Sequence, residues 1–250
     1  MARTAGRTTR SPRREGLARS PAASAPPARA CYLYCVVRGP APLTVESIGI
    51  DARWPDVYLI ASGDLAAVAS DVESAALEPT RDRVLAHDRV NQAVMQDRTV
   101  IPMNFGTVCR SREDVVKLLR AAHGAFSDVL EKIEGRVEFG LKVLQGPEAP
   151  ADGLPPGTPT DDDLQRRAER HLDDGLQRLR DVSAASRLNP PLGDRMILNA
   201  AFLVPRSGER AFVSRAEKIA RKFPHLVFKY SGPWPPYNFV NIRLKLEPVA

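Results

Sequence analysis

Cysteine, histidine and aromatic residues are scarce in this chain: 3 Cys, 4 His and 2 Trp occur among 250 residues, and Phe, Trp and Tyr together make up 6%. So few cysteines cannot build a disulfide scaffold, and they fit a reducing compartment. Cys31 and Cys35 stand four positions apart in what reads as a strand, which separates their Cα atoms by roughly 13 Å, beyond disulfide reach. Cys109 is alone in its part of the sequence with no base beside it, so a small buried residue is the better reading than a nucleophile. The four histidines (His87, His123, His171, His225) are dispersed and stand at no ligand spacing from a Cys or an acid. HExxH, CxxC, Walker A and GxSxG patterns are absent. No apolar run approaches the roughly 18–20 residues of a membrane span, and no apolar segment follows the N-terminal arginines as a secretory signal requires. Membrane and ordinary secreted classes are thereby set aside.

What is present is a globular composition, with 43% hydrophobic and 26% charged residues. A chain of this length buries roughly 70–75% of its unfolded surface and needs neither metal nor disulfide to fold. The net charge of +6 suggests nucleic acid until the charges are located. Residues 1–30 hold seven arginines and one acid, leaving 29 basic and 29 acidic groups over residues 31–250. The body is neutral, which argues against a phosphate-backbone footprint. The tail, rich in Arg, Ala and Pro, reads as disordered.

Cys31–Val37 reads as a first strand. Val57–Ile60 and Leu65–Ala69, joined by Ser62-Gly63-Asp64, read as a hairpin. Thr80 is the candidate N-cap of a helix whose stripe runs Val84, His87, Asn91 and Val94, widened by Leu85 and Met95. Residues 100–106 read as a strand in which Pro102 requires an edge, a bulge or a strand start. Ser111 opens one long helix that ends near Gly135, and Val137–Leu144 alternates as a strand that closes this first unit. Residues 145–160 hold five Pro and three Gly and read as a linker. A long helix follows from Asp161, with an apolar stripe of Leu164, Ala168, Leu172, Leu176, Leu179 and Val182. Met196–Val204 reads as a central strand, a short helix spans 212–223, and Leu226–Tyr230 and Val240–Leu246 read as strands. The expectation is an α+β protein: a tail (1–30), an N-terminal α+β domain (31–144), a linker (145–160) and a C-terminal helix plus α/β domain (161–250). Each domain has a β-α-β core like half or all of a ferredoxin-type sandwich.

The residues offer little catalytic material and point to no cofactor. His87 lies on a core-facing stripe beside Asp88, where a satisfied buried histidine is the simpler reading and a general base the alternative. Asp161, Asp162 and Asp163 could attract a cation, but three acids opening a helix already serve its dipole, and no Gly-containing calcium loop surrounds them. Gly232-Pro233-Trp234-Pro235-Pro236-Tyr237 is the most unusual segment: stiff, short of backbone donors and carrying two large amphipathic rings. It suits either a docking surface or a rigid strand connection. A ferredoxin-like sheet with aromatics could also bind RNA, but no run of basic, Gly and aromatic residues supports that.

Several segments together resemble the gas vesicle GvpF/GvpL family over about residues 32–247. These are Tyr32-Leu33-Tyr34, Gly63-Asp64-Leu65-Ala66-Ala67-Val68, His87 in its helix, Val100 to Val108 (VIPMNFGTV), Glu138 to Val143 (EFGLKV), Leu198 to Val204 (LNAAFLV) and Ser231 to Val240 (SGPWPPYNFV). Asn104 stands where the family commonly carries Arg, and the Arg-rich tail lies outside the resemblance. The resemblance implies two domains, an N-terminal one of modified ferredoxin-like topology and a C-terminal α/β one with a coiled-coil-like helix. It implies a non-enzymatic, cytoplasmic, gas vesicle-associated accessory or minor structural protein. Its implied partners are the hydrophobic shell protein GvpA and other accessory gas vesicle proteins. Candidate partner-binding residues are Pro102, Asn104 and Phe105 near the strand edge and Trp234, Pro235 and Tyr237 in the aromatic segment. The rival is a small-molecule-binding or enzymatic ferredoxin-like domain using His87, which requires an open cleft around that ring.

Overall fold

A computed structural model of the chain describes residues 29–39, 41–43, 48–73, 77–146, 173–224 and 226–242. Among these, nine strands and five α-helices form an α+β structure with two antiparallel sheets. The first sheet contains β1 (Ala30–Arg38), β2 (Tyr58–Ser62), β3 (Leu65–Val72), β4 (Val100–Pro102) and β5 (Val108–Cys109). Its order is β2-β3-β1-β4, with β5 also on β1. Three helices accompany it: α1 (Arg81–Asp97), α2 (Arg112–Ala121) and α3 (His123–Ile133). The second sheet runs β7 (Ala185–Leu188), β8 (Met196–Pro205), β6 (Arg136–Gln145), β9 (Leu226–Trp234). It is accompanied by α4 over 173–180 and α5 (Glu209–Ala220).

Helices cover both faces of the first sheet, which is why β1 reads as one unbroken apolar run. One face, with Tyr32, Val37, Ala66 and Val68, packs with Val90, Val94 and Met95 of α1. The other, with Leu33, Val36 and Ile101, packs with Leu118 and Leu119 of α2 and Phe126, Leu130 and Ile133 of α3. The first of these apolar clusters continues into Val137, Phe139, Phe202 and Phe212 of the second sheet and its helices. The β2–β3 hairpin forms as expected, Ser62 facing Leu65 across a turn in which Gly63 (φ 65°) takes the first central position.

The structure corrects several expectations. The strand 137–144 exists, but it does not close the first unit: β6 is an inner strand of the second sheet, between β8 and β9. Alternation identifies a strand and its buried face, not its partners. In α1, His87, Asn91, Val94 and Met95 of the expected stripe are buried, but Val84 and Leu85 are exposed and Ala86 and Val90 take their place. The helix opened by Ser111 is two, broken at Ala122 (φ −106°, ψ 15°); Leu119 and Phe126 remain seven apart, so the apolar spacing hides the break. Strand β7 was not expected, because all four of its residues are exposed and leave no hydrophobic pattern. Strand β9 runs on to Trp234, whereas Val240–Ile242, expected in a final strand, are not in one. Cys109 is not isolated: it faces Cys31 across β1 and β5. The tail up to 28, most of the linker, the helix 161–172 with its three acids, and residues 243–246 of the last expected strand lie outside the described residues.

Candidate functional site

The site begins with an irregularity in β1. The β1–β3 register shifts between Leu33 and Cys35, so Tyr34 is an extra residue in the ladder. Tyr32 and Tyr34 share the α1 face by ordinary alternation, and the extra residue switches the alternation so that Cys35 joins them there. Onto them α1 lays His87 and Asn91, four residues apart and on one face. The segment after β4 brings Phe105, and the turn after β9 brings Tyr237.

His87 is 3% exposed. Its Nδ1 lies 2.8 Å from the Tyr32 hydroxyl, and its Nε2 lies 3.1 Å from the Met103 carbonyl and 2.9 Å from the Asn91 amide nitrogen. With the proton on Nε2, Met103 accepts it and Tyr32 donates to Nδ1. With the proton on Nδ1, Tyr32 accepts and Asn91 donates to Nε2. The ring stacks on Tyr34 at 5.8 Å between centroids, and meets Tyr32 at 5.7 Å, Phe105 at 6.1 Å and Tyr237 at 6.5 Å. Burial is the largest influence on the imidazole and holds its pKa below the ordinary histidine value, against the opposing charge of Asp88 and the Met103 hydrogen bond. Burial likewise raises the Tyr32, Tyr34 and Tyr237 hydroxyls, so these three groups around the ring stay protonated. A general base needs a free nitrogen within reach of substrate. Here both nitrogens are occupied and the ring is enclosed, so the geometry is that of a satisfied core histidine.

Tyr237 ties this cluster to the second sheet. Its hydroxyl accepts from the Asn91 amide at 3.1 Å and donates to Asp88 Oδ1 at 3.2 Å. The next residue, Asn238, donates from its backbone N–H (2.8 Å) and its side-chain amide (2.6 Å) to the two carboxylate oxygens of Glu138. Asn189 donates to Asn238 Oδ1 at 3.1 Å, and Arg187 to the Asn238 carbonyl at 3.0 Å. Glu138 is 5% exposed, and burial raises its pKa although the Asn238 bonds act the other way. The segment 234–239 is therefore bonded to α1, β6, β7 and the start of the 189–195 loop.

The sequence-predicted residues divide accordingly. Phe105 and Tyr237 meet around His87, both half-buried. Asn104 is exposed, its carbonyl accepting from Thr107, while Pro102 and Pro235 are buried. Pro102 ends β4, at the edge of the first sheet. Trp234 is half-buried at the end of β9, opposite Glu138. The bonds of Glu138 and Asn238 were not anticipated: an acid in an alternating strand reads as outward-facing, and nothing local pairs it with a residue 100 positions later. The pair His87 and Asn91 was visible as two polar residues at i, i+4 on an apolar stripe.

The family profile described as gas vesicle synthesis protein GvpL/GvpF matches residues 30–160 and 155–241. The chain belongs to the GvpL/GvpF family. Gas vesicle protein F1 of Halobacterium salinarum is 34% identical over 208 residues, covering 82% of this chain and 89% of that protein. Gas vesicle protein L of a Streptomyces species is 30% identical over 253 residues, covering 84% and 92%. In fold, the crystal structure of GvpF from an Anabaena species matches with a TM-score of 0.73 at 24% identity, over 88% of this chain and 100% of that one. GvpF from Microcystis aeruginosa matches with a TM-score of 0.68 at 20% identity, over 85% and 99%. The GvpL/GvpF resemblance read from the sequence is thus borne out, and so is the α+β class. No helix among the described residues is long and apolar enough to cross a membrane.

Proposed function

We propose that this GvpL/GvpF protein is a non-enzymatic accessory protein of gas vesicle assembly, working in the cytoplasm and on the vesicle, that binds the shell protein GvpA and other gas vesicle proteins. The observation that carries the non-enzymatic part is the enclosure of His87, the best catalytic candidate in the sequence, by protein partners on both ring nitrogens. The assembly role rests on family membership.

The molecule is proposed to comprise an N-terminal α+β unit of modified ferredoxin-like topology and a C-terminal α/β unit with a coiled-coil-like helix. The first unit ends before β6, since β6 pairs only with strands of the second sheet among the described residues. An apolar, aggregation-prone shell subunit needs its exposed surface covered until it enters the wall. Two surfaces suit that role, the β4 edge with Asn104 and Phe105 and the Trp234–Tyr237 segment. The buried Pro102 and Pro235 act there as stiffeners and the half-buried rings as contact area.

The test is co-expression of GvpA with the full chain and with the Trp234→Ala and Tyr237→Ala variants, followed by pull-down at low and high salt. Capture that survives high salt and weakens in the variants, while their circular dichroism is unchanged, supports an apolar interface at this segment. Unchanged capture by well-folded variants removes the segment from the interface, and absence of capture at either salt removes GvpA as a direct partner.

A further inference from the structure

A second surface, remote from the His87 cluster, lies on the helical layer of the second sheet. Helices α4 and α5 approach closely where Gly175 meets Ile219: a Cβ on Gly175 would stand 2.9 Å from Ile219 Cγ2. Beside this crossing lies a groove of about 550 Å³, lined by Arg178, Arg215, Lys218, Ile219, Arg221 and Lys222. A smaller cavity of about 290 Å³ shares Arg178, Ile219 and Lys222 and has Asp174 at its wall. The larger groove thus has five cationic side chains around one aliphatic floor and no carboxylate in its lining.

Three observations give this groove a direction. Among the described residues none of the five cations lies within ion-pair distance of an acid, whereas Arg53 is paired with Asp51 and Glu73, and Arg110 and Lys117 with Asp114. Arg215 is held in place, donating at 3.0 Å to the Arg178 carbonyl across the two helices. Arg215, Lys218 and Lys222 follow i, i+3, i+7 spacing, a stripe along α5 and its C-terminal end that a second helix with acids at the same spacing would complement.

We infer that this groove docks an acidic amphipathic helix of a partner protein, its carboxylates on the cationic stripe and an aliphatic side chain over Ile219. The inference rests on the assembly reading above, and names the chemistry of one class of partner. A polyphosphate chain suits the site less well. No aromatic ring lines it for base stacking, and the body outside the tail has 29 basic and 29 acidic groups, too balanced for a long-range polyanion field. A slot between helices also favours a projecting segment over a flat anionic bilayer.

The experiment uses the full chain and its Lys218→Glu/Lys222→Glu variant, both positions being exposed. The probe is a fluorescein-labelled helical peptide of Glu, Ala and Leu with acids at i, i+3, i+7, with its Gln analogue as control, read by anisotropy. Expected are binding of the Glu peptide, loss of about tenfold in the variant and at least tenfold for the Gln analogue, and weakening with added NaCl. Equal binding by the variant assigns the attraction to the arginine tail and overturns the inference. Absence of binding by the full chain, equal binding of the Gln analogue, or tighter groove-dependent binding of an oligothymidylate or phosphatidylglycerol vesicles overturns it as well. GvpA capture separates the two readings: capture retained by the variant with peptide binding lost keeps both, whereas absence of capture by the full chain with peptide binding intact removes GvpA as a direct partner and leaves the groove standing.

Discussion

Replacing Tyr237 by Phe removes one oxygen and leaves the ring. That oxygen accepts from Asn91 and donates to Asp88, so two hydrogen bonds disappear, one of them to a carboxylate. A neutral bond contributes roughly 1 kcal/mol and a bond to a charged group roughly 1.5–3 kcal/mol. The half-buried hydroxyl lets water restore part of this, which leaves a net loss of about 1–2 kcal/mol. For a chain of this size that lowers the melting temperature by about 2–8 °C. The assay is equilibrium urea unfolding of wild type, Tyr237→Phe, Asn91→Leu and the double variant. The cycle is expected to return a coupling of at least about 0.5 kcal/mol between the two positions. A stability change below about 0.3 kcal/mol for Tyr237→Phe, or no coupling in the cycle, would refute the view that this hydroxyl fastens the segment after β9 to α1.

Titration and backbone packing provide further tests. The folded-state pKa of His87 lies below its ordinary 6.5, so its contribution is fully present above that pH and is lost as pH falls toward the depressed value. Glu138 is shifted upward from 4.5, so its contribution is full below that pH and is lost as pH rises through the raised value. Urea midpoints measured from about pH 4.5 to 7.5 are therefore expected to show a steeper acid-side loss in Glu138→Gln than in wild type and a shallower one in His87→Gln; identical slopes in all three contradict both assignments. At Gly232, φ is 126° and a Cβ would stand 2.7 Å from the Glu138 carbonyl oxygen. Gly232→Ala is expected to cost about 2–4 kcal/mol in a thermal melt, and a loss under about 1 kcal/mol would show that β9 can shift away from β6 there.

The sequence by itself settled what depends on near neighbours. The β2–β3 hairpin follows from Gly63 and flanking apolar runs, the start of α1 from Thr80, whose hydroxyl accepts from Arg83 N–H, and the start of α2 from Ser111, which accepts from Asp114 N–H. The family was legible too, because its segments are stretches of consecutive residues in a fixed order. Partner choice was not legible. Strand 136–145 alternates in the same way whether it closes the first sheet or centres the second, since pairing is decided by backbone edges that come from β8 and β9 far along the chain. The candidate site shows the same division. His87 and Asn91 could be placed on one helical face from spacing alone, but Tyr237 reaches Asn91 from 146 positions away and Asn238 reaches Glu138 from 100. A half-buried aromatic segment becomes a fastening, and a row of helical cations becomes a groove, only when packing brings a second element opposite them. The tertiary structure decides this because hydrogen bonds and charge act over a few ångströms, whatever the distance along the chain.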